Sequence, residues 1–196
     1  MRNASPCQLA DVLGAPQRML IVMAGTTGSG KTTLARFLTS AWPSVRHLES
    51  DAVRKQIHGI PKTRRANVDE IFGSIYSATS TEATYAEMIR MGAELLTEGM
   101  TVILDGSFRQ RGVRAQALAI ARQVQVPSAV IVCSVDPRRQ VARLENRYRL
   151  EHSVSDGRPE VLLLHNADWE PVESAEADLV VHVDTGATST SVADSF

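Results

Sequence analysis

Short apolar runs alternate with longer helical patterns along the chain from residue 19 onward. Five of these runs have the length of β-strands: Met19–Ala24, Val45–Leu48, Met100–Leu104, Ala129–Cys133 and Leu179–Val183. Most of the five are apolar throughout. Continuous apolar strands separated by helical patterns are typical of a parallel sheet that helices cover on both faces. The pattern therefore predicts an α/β fold. The run Val45–Leu48 is the least apolar of the five, which favours a position near an edge of the sheet.

The clearest helix is predicted just before the third strand. Apolar residues from Tyr85 to Leu96 recur at the spacing i, i+3, i+4 and i+7, which is one face of a helix. Thr79 followed by Glu82 fits a capping box at its start, and Gly99 provides a stop signal at its end.

One domain behind a short leader is predicted. The 196 residues are enough for a single sizeable core. Residues 1–17 are predicted to be a weakly structured N-terminal leader, and residues 18–196 to be the domain itself. Residues 60–78 and 149–158 show neither helical nor strand periodicity, so both are candidates for mobile segments over a site.

Composition and charge favour a soluble protein. Hydrophobic residues make up 43% of the chain and charged residues 22%, and the net charge of −1 gives no overall attraction to nucleic acid or membranes. The two cysteines, Cys7 and Cys133, do not indicate a disulfide framework. The N-terminus resembles no signal peptide, and no apolar run approaches the roughly 18 residues of a membrane-spanning helix. We therefore expect a cytoplasmic protein with no membrane partner.

A phosphate-binding loop, or P-loop, follows the first predicted strand. The segment GTTGSGKT at Gly25–Thr32 satisfies the Walker A pattern G-x-x-x-x-G-K-[ST] at every fixed position. Glycines let backbone N–H groups turn toward phosphate oxygens, and the helix that follows adds its positive N-terminal end. The lysine reaches the outer phosphates and the next hydroxyl coordinates Mg²⁺. The motif predicts a nucleoside triphosphate with Mg²⁺. The residues expected to bind this cofactor, which we expect to be ATP, are Gly25, Thr26, Thr27, Gly28, Ser29, Gly30, Lys31, Thr32 and Thr33.

A second carboxylate helps to separate the possible reactions. Asp105 ends an apolar strand, where P-loop proteins carry the acidic group of the Mg²⁺ site, so Thr32 and Asp105 are the predicted metal residues. Motor-type ATPases usually continue with a glutamate that activates water, but Gly106 stands here. The chain also lacks the N-K-x-D motif of GTPases and the L-S-G-G-Q motif of transporter ATPases. The alternative for Asp105 is a strand-end carboxylate that caps a turn.

Asp51 and Arg54 follow the second predicted strand. They are three residues apart, so on a helix they share one face at the edge of the sheet where α/β proteins bind ligands. A kinase needs a carboxylate there to accept the proton of an attacking hydroxyl, and a cation to hold an acceptor. The alternative is that Ser50 and Asp51 cap the helix and that Arg54 lies on a solvated face.

Arginines also cluster late in the chain. Arg143 and Arg147 are one helical turn apart, and Arg149 follows where the helical pattern fades. A cation on a segment that closes over the site would stabilise the charge of a phosphoryl group in transfer. The alternative is a solvated helix face, on which Glu145 and Glu151 are interspersed.

These residues resemble the P-loop kinases of the polynucleotide kinase and zeta-toxin type, relatives of gluconate kinase and chloramphenicol phosphotransferase. The loop Gly25–Thr32 and the D-x-x-R pair Asp51–Arg54 are similar to theirs. The closest resemblance is to the ATP-binding, kinase-like domain found fused behind aminoglycoside phosphotransferase-like domains. It is carried by SDAVRKQIHGIP, IYS, VILDGSFRQR and WEPV, and covers about residues 19–184.

The resemblance implies a five-stranded sheet of order 2-3-1-4-5 with a helical lid. Asp51 would be the general base and Arg54 would bind the acceptor, with Arg109 and Arg111 as secondary acceptor residues. Lys31 would act in catalysis. The further residues that it implies are Arg143 and Arg147 in the lid, and Asp184–Gly186 near adenine.

The sequence thus favours an ATP- and Mg²⁺-dependent kinase over two alternatives. The expected acceptor is a hydroxyl of a small molecule or of a polynucleotide end. One alternative is an ATP-hydrolysing switch or motor, and the other is a non-catalytic ATP-binding module that regulates a partner. No protein partner is evident from the residues.

Overall fold

The computed structural model describes residues 2–14, 18–42, 44–61, 64, 75–149, 162 and 166–186. The two segments without clear periodicity, 60–78 and 149–158, lie for the most part outside these ranges. Among the described residues, no helix combines the length and the apolar content that crossing a bilayer requires.

A parallel sheet of six strands forms the middle layer. The strands are β1 (Arg2–Ala4), β2 (Leu20–Ala24), β3 (Val45–Glu49), β4 (Thr101–Asp105), β5 (Ser128–Ser134) and β6 (Leu179–Asp184). Their order across the sheet is β1-β6-β5-β2-β4-β3, and every neighbouring pair is parallel. The order expected for the five predicted strands is confirmed, and Val45–Glu49 is an edge strand. The expected number of five is wrong, because β1 adds a sixth strand beside β6.

The extra strand comes from the segment expected to be a weakly structured leader. Arg2 pairs with Val181 and Ala4 with Val183, and a 3-10 turn at Pro6–Gln8 leads into α1 (Leu9–Leu13). Leu9 is fully buried. The expectation of weak structure is therefore wrong for residues 2–14 of this segment. Three polar or small residues form β1, so the strand depends on pairing with β6 rather than on a local apolar pattern.

Five longer helices complete the described fold: α2 (Lys31–Ala41), α3 (Ser50–Ile57), α4 (Ala78–Thr97), α5 (Arg111–Gln123) and α6 (Pro137–Arg149). The predicted long helix is α4, but its predicted capping box is wrong. The N-cap is Ser77, whose hydroxyl accepts a hydrogen bond from the Ser80 backbone N–H. Because the helix begins two residues earlier, Thr79 and Glu82 both lie inside it.

The two faces of the sheet pack against different helices. On one face, Val102 and Leu104 of β4 join a core with residues of α4 and α5. On the other face, Ile103 joins a core with Leu9 of α1 and with the buried side of α2. Since side chains alternate along a strand, Asp105 lies on the same face as Ile103, toward α2. The three-layer arrangement thus directs this carboxylate to the helix that follows the P-loop.

Candidate active site

The P-loop between β2 and α2 depends on glycine at defined positions. Gly25, Gly28 and Gly30 have φ of 148°, 79° and 88°, which side-chain-bearing residues rarely adopt. Space is also lacking: a Cβ on Gly25 would lie 2.6 Å from the Cys133 carbonyl oxygen, and one on Gly30 would lie 2.8 Å from the Thr185 hydroxyl. The loop is therefore packed directly against the ends of β5 and β6.

The side chain of Lys31 folds back onto this loop. Its Nζ donates to the Thr26 carbonyl oxygen at 2.9 Å and lies 3.5 Å from the Ser29 hydroxyl oxygen. The ammonium group is thus held over the backbone turn in which phosphate is expected. Thr32 is partly exposed in the first turn of α2, and Thr33 beside it is exposed.

Helix α6 packs on the other side of the P-loop through a residue that the sequence did not single out. The buried Gln140 donates from Nε2 to the Thr26 hydroxyl at 2.7 Å and to the Thr27 carbonyl oxygen at 2.6 Å. A Cβ on Gly28 would lie 3.0 Å from Leu144 Cγ, so this glycine also permits close packing. A neutral amide in an arginine-rich helix gave no sequence signal for this role.

Arg143 contacts the residue after β6. Its guanidinium donates to the Thr185 hydroxyl at 2.9 Å and to the Thr185 carbonyl oxygen at 2.8 Å. The Thr185 hydroxyl in turn donates to the Ser29 carbonyl oxygen at 2.7 Å. Thr185 therefore bridges Arg143 and the P-loop. Arg147 belongs to α6, but its side chain lies outside the described part of the structure.

Asp105 is buried at the end of β4, with 3% of its side chain exposed, and His47 Nε2 lies 3.1 Å from its Oδ2. Its charge and that of Lys31 both act on Cys133. Burial raises the pKa of Cys133 to about 12; the Lys31 charge opposes this rise and the Asp105 charge adds to it. The predicted phosphate-binding cation and the predicted metal-site carboxylate therefore lie around the same strand ends.

The residues at this position fit a Mg²⁺ ion shared with a nucleotide. In the part of the chain that the structure describes, no group of three histidine, cysteine or acidic side chains could hold a metal ion on its own. Mg²⁺ in nucleotide sites is typically bound by one or two protein oxygens together with substrate phosphates and water. A Thr32 hydroxyl beside the P-loop and a buried Asp105 carboxylate supply oxygen donors of this kind.

Asp51 and Arg54 share one face of α3, as their spacing predicts, and both contact Tyr76. The Tyr76 hydroxyl donates to Asp51 Oδ1 at 3.2 Å, and the Arg54 guanidinium carbon lies 4.5 Å from the centre of the Tyr76 ring. Arg54 is only 5% exposed and donates to the Ile75 carbonyl oxygen at 3.1 Å. The solvated face considered for Arg54 is therefore wrong, and Arg54 joins α3 to the segment before α4.

Arg109 and Arg111 lie near the start of α5 and face the segment after α6. Arg109 Nε is 3.6 Å from an Asp168 carboxylate oxygen and, within the described residues, lacks a hydrogen-bond partner. Arg111 is exposed and pairs with Glu173 at 3.0 Å.

Arg114, which also belongs to α5, is fully buried. It donates to both Glu176 carboxylate oxygens, at 2.6 and 2.9 Å, and to the carbonyl oxygens of Phe108 and Pro171. Burial alone would raise the pKa of Glu176, but hydrogen bonds from Arg114 and from the Glu173 backbone hold it below its ordinary value. This pair fixes the segment that contains WEPV against the turn after β4.

The turn after β4 is joined to the P-loop and is closely packed. The Gly25 backbone N–H donates to the Ser107 carbonyl oxygen at 3.0 Å, and the Ser107 hydroxyl lies 2.9 Å from the Tyr85 hydroxyl. A Cβ on Gly106 would lie 3.0 Å from the same Tyr85 hydroxyl. A glutamate at Gly106, as in motor-type ATPases, would therefore need Tyr85 to move.

A family model described as an AAA domain matches residues 20–171 of this chain. That range begins at β2 and includes the P-loop, Asp51, Asp105 and α6. An uncharacterized protein of Mycobacterium tuberculosis is 26% identical over 153 residues, which make up 77% of this chain and 30% of that protein. The chain therefore spans less than a third of the length of the curated relatives that it matches.

Two solved structures show the same fold. Kti12 of Chaetomium thermophilum, in complex with ADP-AlF3, is 18% identical with a TM-score of 0.65, over 89% of this chain and 93% of that one. A sugar kinase from Janibacter is 17% identical with a TM-score of 0.58, over 87% and 86%. The predicted α/β fold of the P-loop type is confirmed. The finer resemblance to the domain found behind aminoglycoside phosphotransferase-like domains stays a prediction.

Proposed function

The chain belongs to the AAA domain family, and we propose that it transfers the γ-phosphate of ATP to a hydroxyl group of a small molecule or a nucleic-acid end. One observation carries the proposal. Strands β2, β4 and β3 are parallel neighbours, so their carboxyl ends lie along one edge of the sheet. The P-loop follows β2, Asp105 ends β4 and Asp51 follows β3. The residues proposed to bind the phosphate donor, the metal and the acceptor therefore follow neighbouring strands in that order.

The donor side consists of the P-loop and the metal residues. Backbone N–H groups of Gly25–Gly30 and the Lys31 ammonium bind the outer phosphates, and Thr32 with Asp105 holds Mg²⁺. A Mg²⁺ ion held by these residues would supply positive charge that offsets the negative charge of the phosphates. Thr33 completes the first turn of α2 beside them. Gln140 and Thr185 support this side because they fix the loop backbone at Thr26, Thr27 and Ser29.

The acceptor side is built around Asp51. Its carboxylate accepts the proton of the attacking hydroxyl, while the bond from Tyr76 fixes its orientation. Arg54 gives this side a positive charge. Arg109 and Arg111, which follow β4 at the start of α5, are proposed as secondary acceptor residues. Arg143 and Arg147 are proposed to act on the phosphoryl group when α6 adjusts around a bound nucleotide. The contact of Arg143 with Thr185 keeps it next to the loop that such a movement would engage.

Phosphate transfer to an acceptor is favoured over hydrolysis by the packing at Gly106. A water-activating glutamate after Asp105 is absent from the sequence, and a Cβ at Gly106 would lie only 3.0 Å from the Tyr85 hydroxyl, which would have to shift to admit a larger residue.

The proposal is tested by measuring ADP formation against panels of acceptors. The panels contain nucleosides, 5′-hydroxyl oligonucleotides, sugars, sugar nucleotides and aminoglycosides, and products are identified by the mass of the added phosphoryl group. We expect ADP to form rapidly only with one class of acceptor. Sustained ADP release without an acceptor would instead indicate a hydrolase. Tight ATP binding with no ADP in any panel would indicate a regulatory module.

A further inference from the structure

The carboxylate of Asp105 has one protein partner among the described residues, the ring of His47. Strands β3 and β4 pair in register, with His47 opposite Ile103 and Glu49 opposite Asp105. The His47 side chain is 9% exposed, and its Nε2 lies 3.1 Å from Asp105 Oδ2. An ionised carboxylate only accepts hydrogen bonds, so a bond between these two atoms requires the hydrogen of the His47 ring to be on Nε2. The bond fixes one of the two carboxylate oxygens.

His47 also belongs to a row of polar side chains that runs from the core to the surface of α2. Its Nδ1 lies 3.8 Å from Glu49 Oε1, and the same oxygen lies 3.3 Å from the guanidinium of Arg36. The exposed fractions of the side chains increase along the row, from 3% for Asp105 and 9% for His47 to 27% for Glu49 and 58% for Arg36. The inner contact is therefore protected from water, while the outer one is exposed to it.

We propose that His47 is a positioning residue for the Mg²⁺ site. It holds Oδ2 of Asp105 so that Oδ1, which accepts no hydrogen bond from the described residues, remains available to the Mg²⁺ shell. Without this bond the buried carboxylate could rotate about its terminal torsion, which has a broad energy minimum. Partners that orient a metal-binding side chain commonly change metal affinity by about 10- to 100-fold when they are removed. This inference rests on the proposed function, because that function assigns Mg²⁺ to Asp105.

The test measures the Mg²⁺ dependence of nucleotide binding, which needs no acceptor. The full chain is titrated with a fluorescent ATP analogue at increasing Mg²⁺ and, separately, in EDTA. Two amide variants of similar polarity are compared. His47→Gln places its amide nitrogen near the position of Nε2 and keeps the donor, whereas His47→Asn is too short to reach Asp105. We expect H47N to require about 10- to 100-fold more Mg²⁺ for half-maximal binding, and H47Q to stay within about threefold of the wild type.

Two further results complete the test. Affinity in EDTA is expected to be equal in all three proteins, because the proposed role concerns only the metal. Arg36→Gln is the matched control at the outer end of the row and is expected to leave the Mg²⁺ requirement unchanged, because exposed ion pairs contribute little. Thermal unfolding verifies that every variant is folded.

The inference is overturned if H47N keeps the wild-type Mg²⁺ requirement. It is also overturned if H47N and H47Q are impaired equally, or if H47N loses the same affinity in EDTA, since each result would indicate a general structural role. A wild-type protein that does not bind the analogue in Mg²⁺ or in EDTA would overturn the proposed function itself, whereas an equal Mg²⁺ requirement in a wild type and an H47N that both bind overturns only the role of His47.

Discussion

The Thr185 hydroxyl donates a hydrogen bond of 2.7 Å to the carbonyl oxygen of Ser29, so the residue after the last strand is joined to the P-loop across 156 positions of sequence. The same hydroxyl accepts a bond from Arg143 of α6. One threonine thus connects β6, α6 and the loop that is proposed to bind phosphate.

Replacing Thr185 by valine is expected to weaken ATP binding roughly tenfold, or ~1.4 kcal/mol, because the shape is kept while the bonds to Ser29 and Arg143 are lost. Isothermal titration calorimetry with ATP measures this change. Thr185→Ser keeps the hydroxyl and is the control, for which near-wild-type affinity is expected. Equal affinity in T185V and the wild type would show that the loop holds its conformation without this contact.

Asp51→Asn is expected to retain ATP binding and to lose at least ~100-fold in phosphate transfer, because the amide cannot accept the acceptor proton. Calorimetry and an ADP assay with the identified acceptor measure the two properties separately. Tyr76→Phe removes the hydrogen bond to Asp51 and keeps the ring over Arg54, so its loss should be smaller. A wild-type transfer rate in D51N would exclude Asp51 as the base.

Arg114→Met is expected to lower the free energy of unfolding by about 3–5 kcal/mol, because it leaves Glu176 without its buried partner. Arg111 on the same helix provides the control. Its pair with Glu173 is exposed, so Arg111→Met should cost less than ~1 kcal/mol. Urea unfolding of both variants measures the difference, and similar values for the two would contradict the role assigned to Arg114.

Glu176 should also make stability depend on pH. Its pKa in the folded protein is lower than the ordinary value of 4.5, so it binds protons less readily in the folded state than in the unfolded state. The contribution of Glu176 to the free energy of unfolding is therefore complete above the ordinary pKa. It is lost as the pH falls through the lowered pKa of the folded protein. The stability difference between the wild type and Glu176→Gln, measured by urea unfolding, should be constant from pH 7 to about 5.5 and should decrease below about pH 4.5. A difference that grows with acidity would contradict this sign.

Cys133 is expected to resist alkylation in the folded protein. With its pKa raised to about 12 by burial, about one thiol in ten thousand is ionised at pH 8, and the thiolate is the reactive form. Mass spectrometry after iodoacetamide treatment, with and without denaturant, tests this expectation. Rapid modification without denaturant would show that the end of β5 opens to solvent.

The main strands and the P-loop could be predicted because their signals are local. Ile21 and Val130 lie in continuous apolar runs, and the motif at Gly25–Thr32 specifies its own backbone geometry. The order of the five predicted strands came from the resemblance to known kinases, since apolar runs alone do not state which strands are neighbours.

The sequence does not predict the contacts of Gln140 and His47, because their partners are distant in sequence. Gln140 contacts Thr26 across 114 positions, and His47 contacts Asp105 across 58. Neither residue type is unusual in its local context, so only the folded chain reveals its role. The sequence also predicts the wrong N-cap for α4. Both Ser77 and Thr79 carry a hydroxyl that can cap a helix, and the surrounding structure selects Ser77.

The pairing of β1 with β6 affects how the protein can be shortened. The family match begins at residue 20, so a version trimmed to that boundary would lose β1 together with Leu9 from the core. Strand β6 would then become an edge strand, with unpaired backbone groups beside newly exposed apolar surface. Such edge strands promote strand addition between molecules, so the trimmed protein would be prone to self-association, which the first residues of the chain prevent.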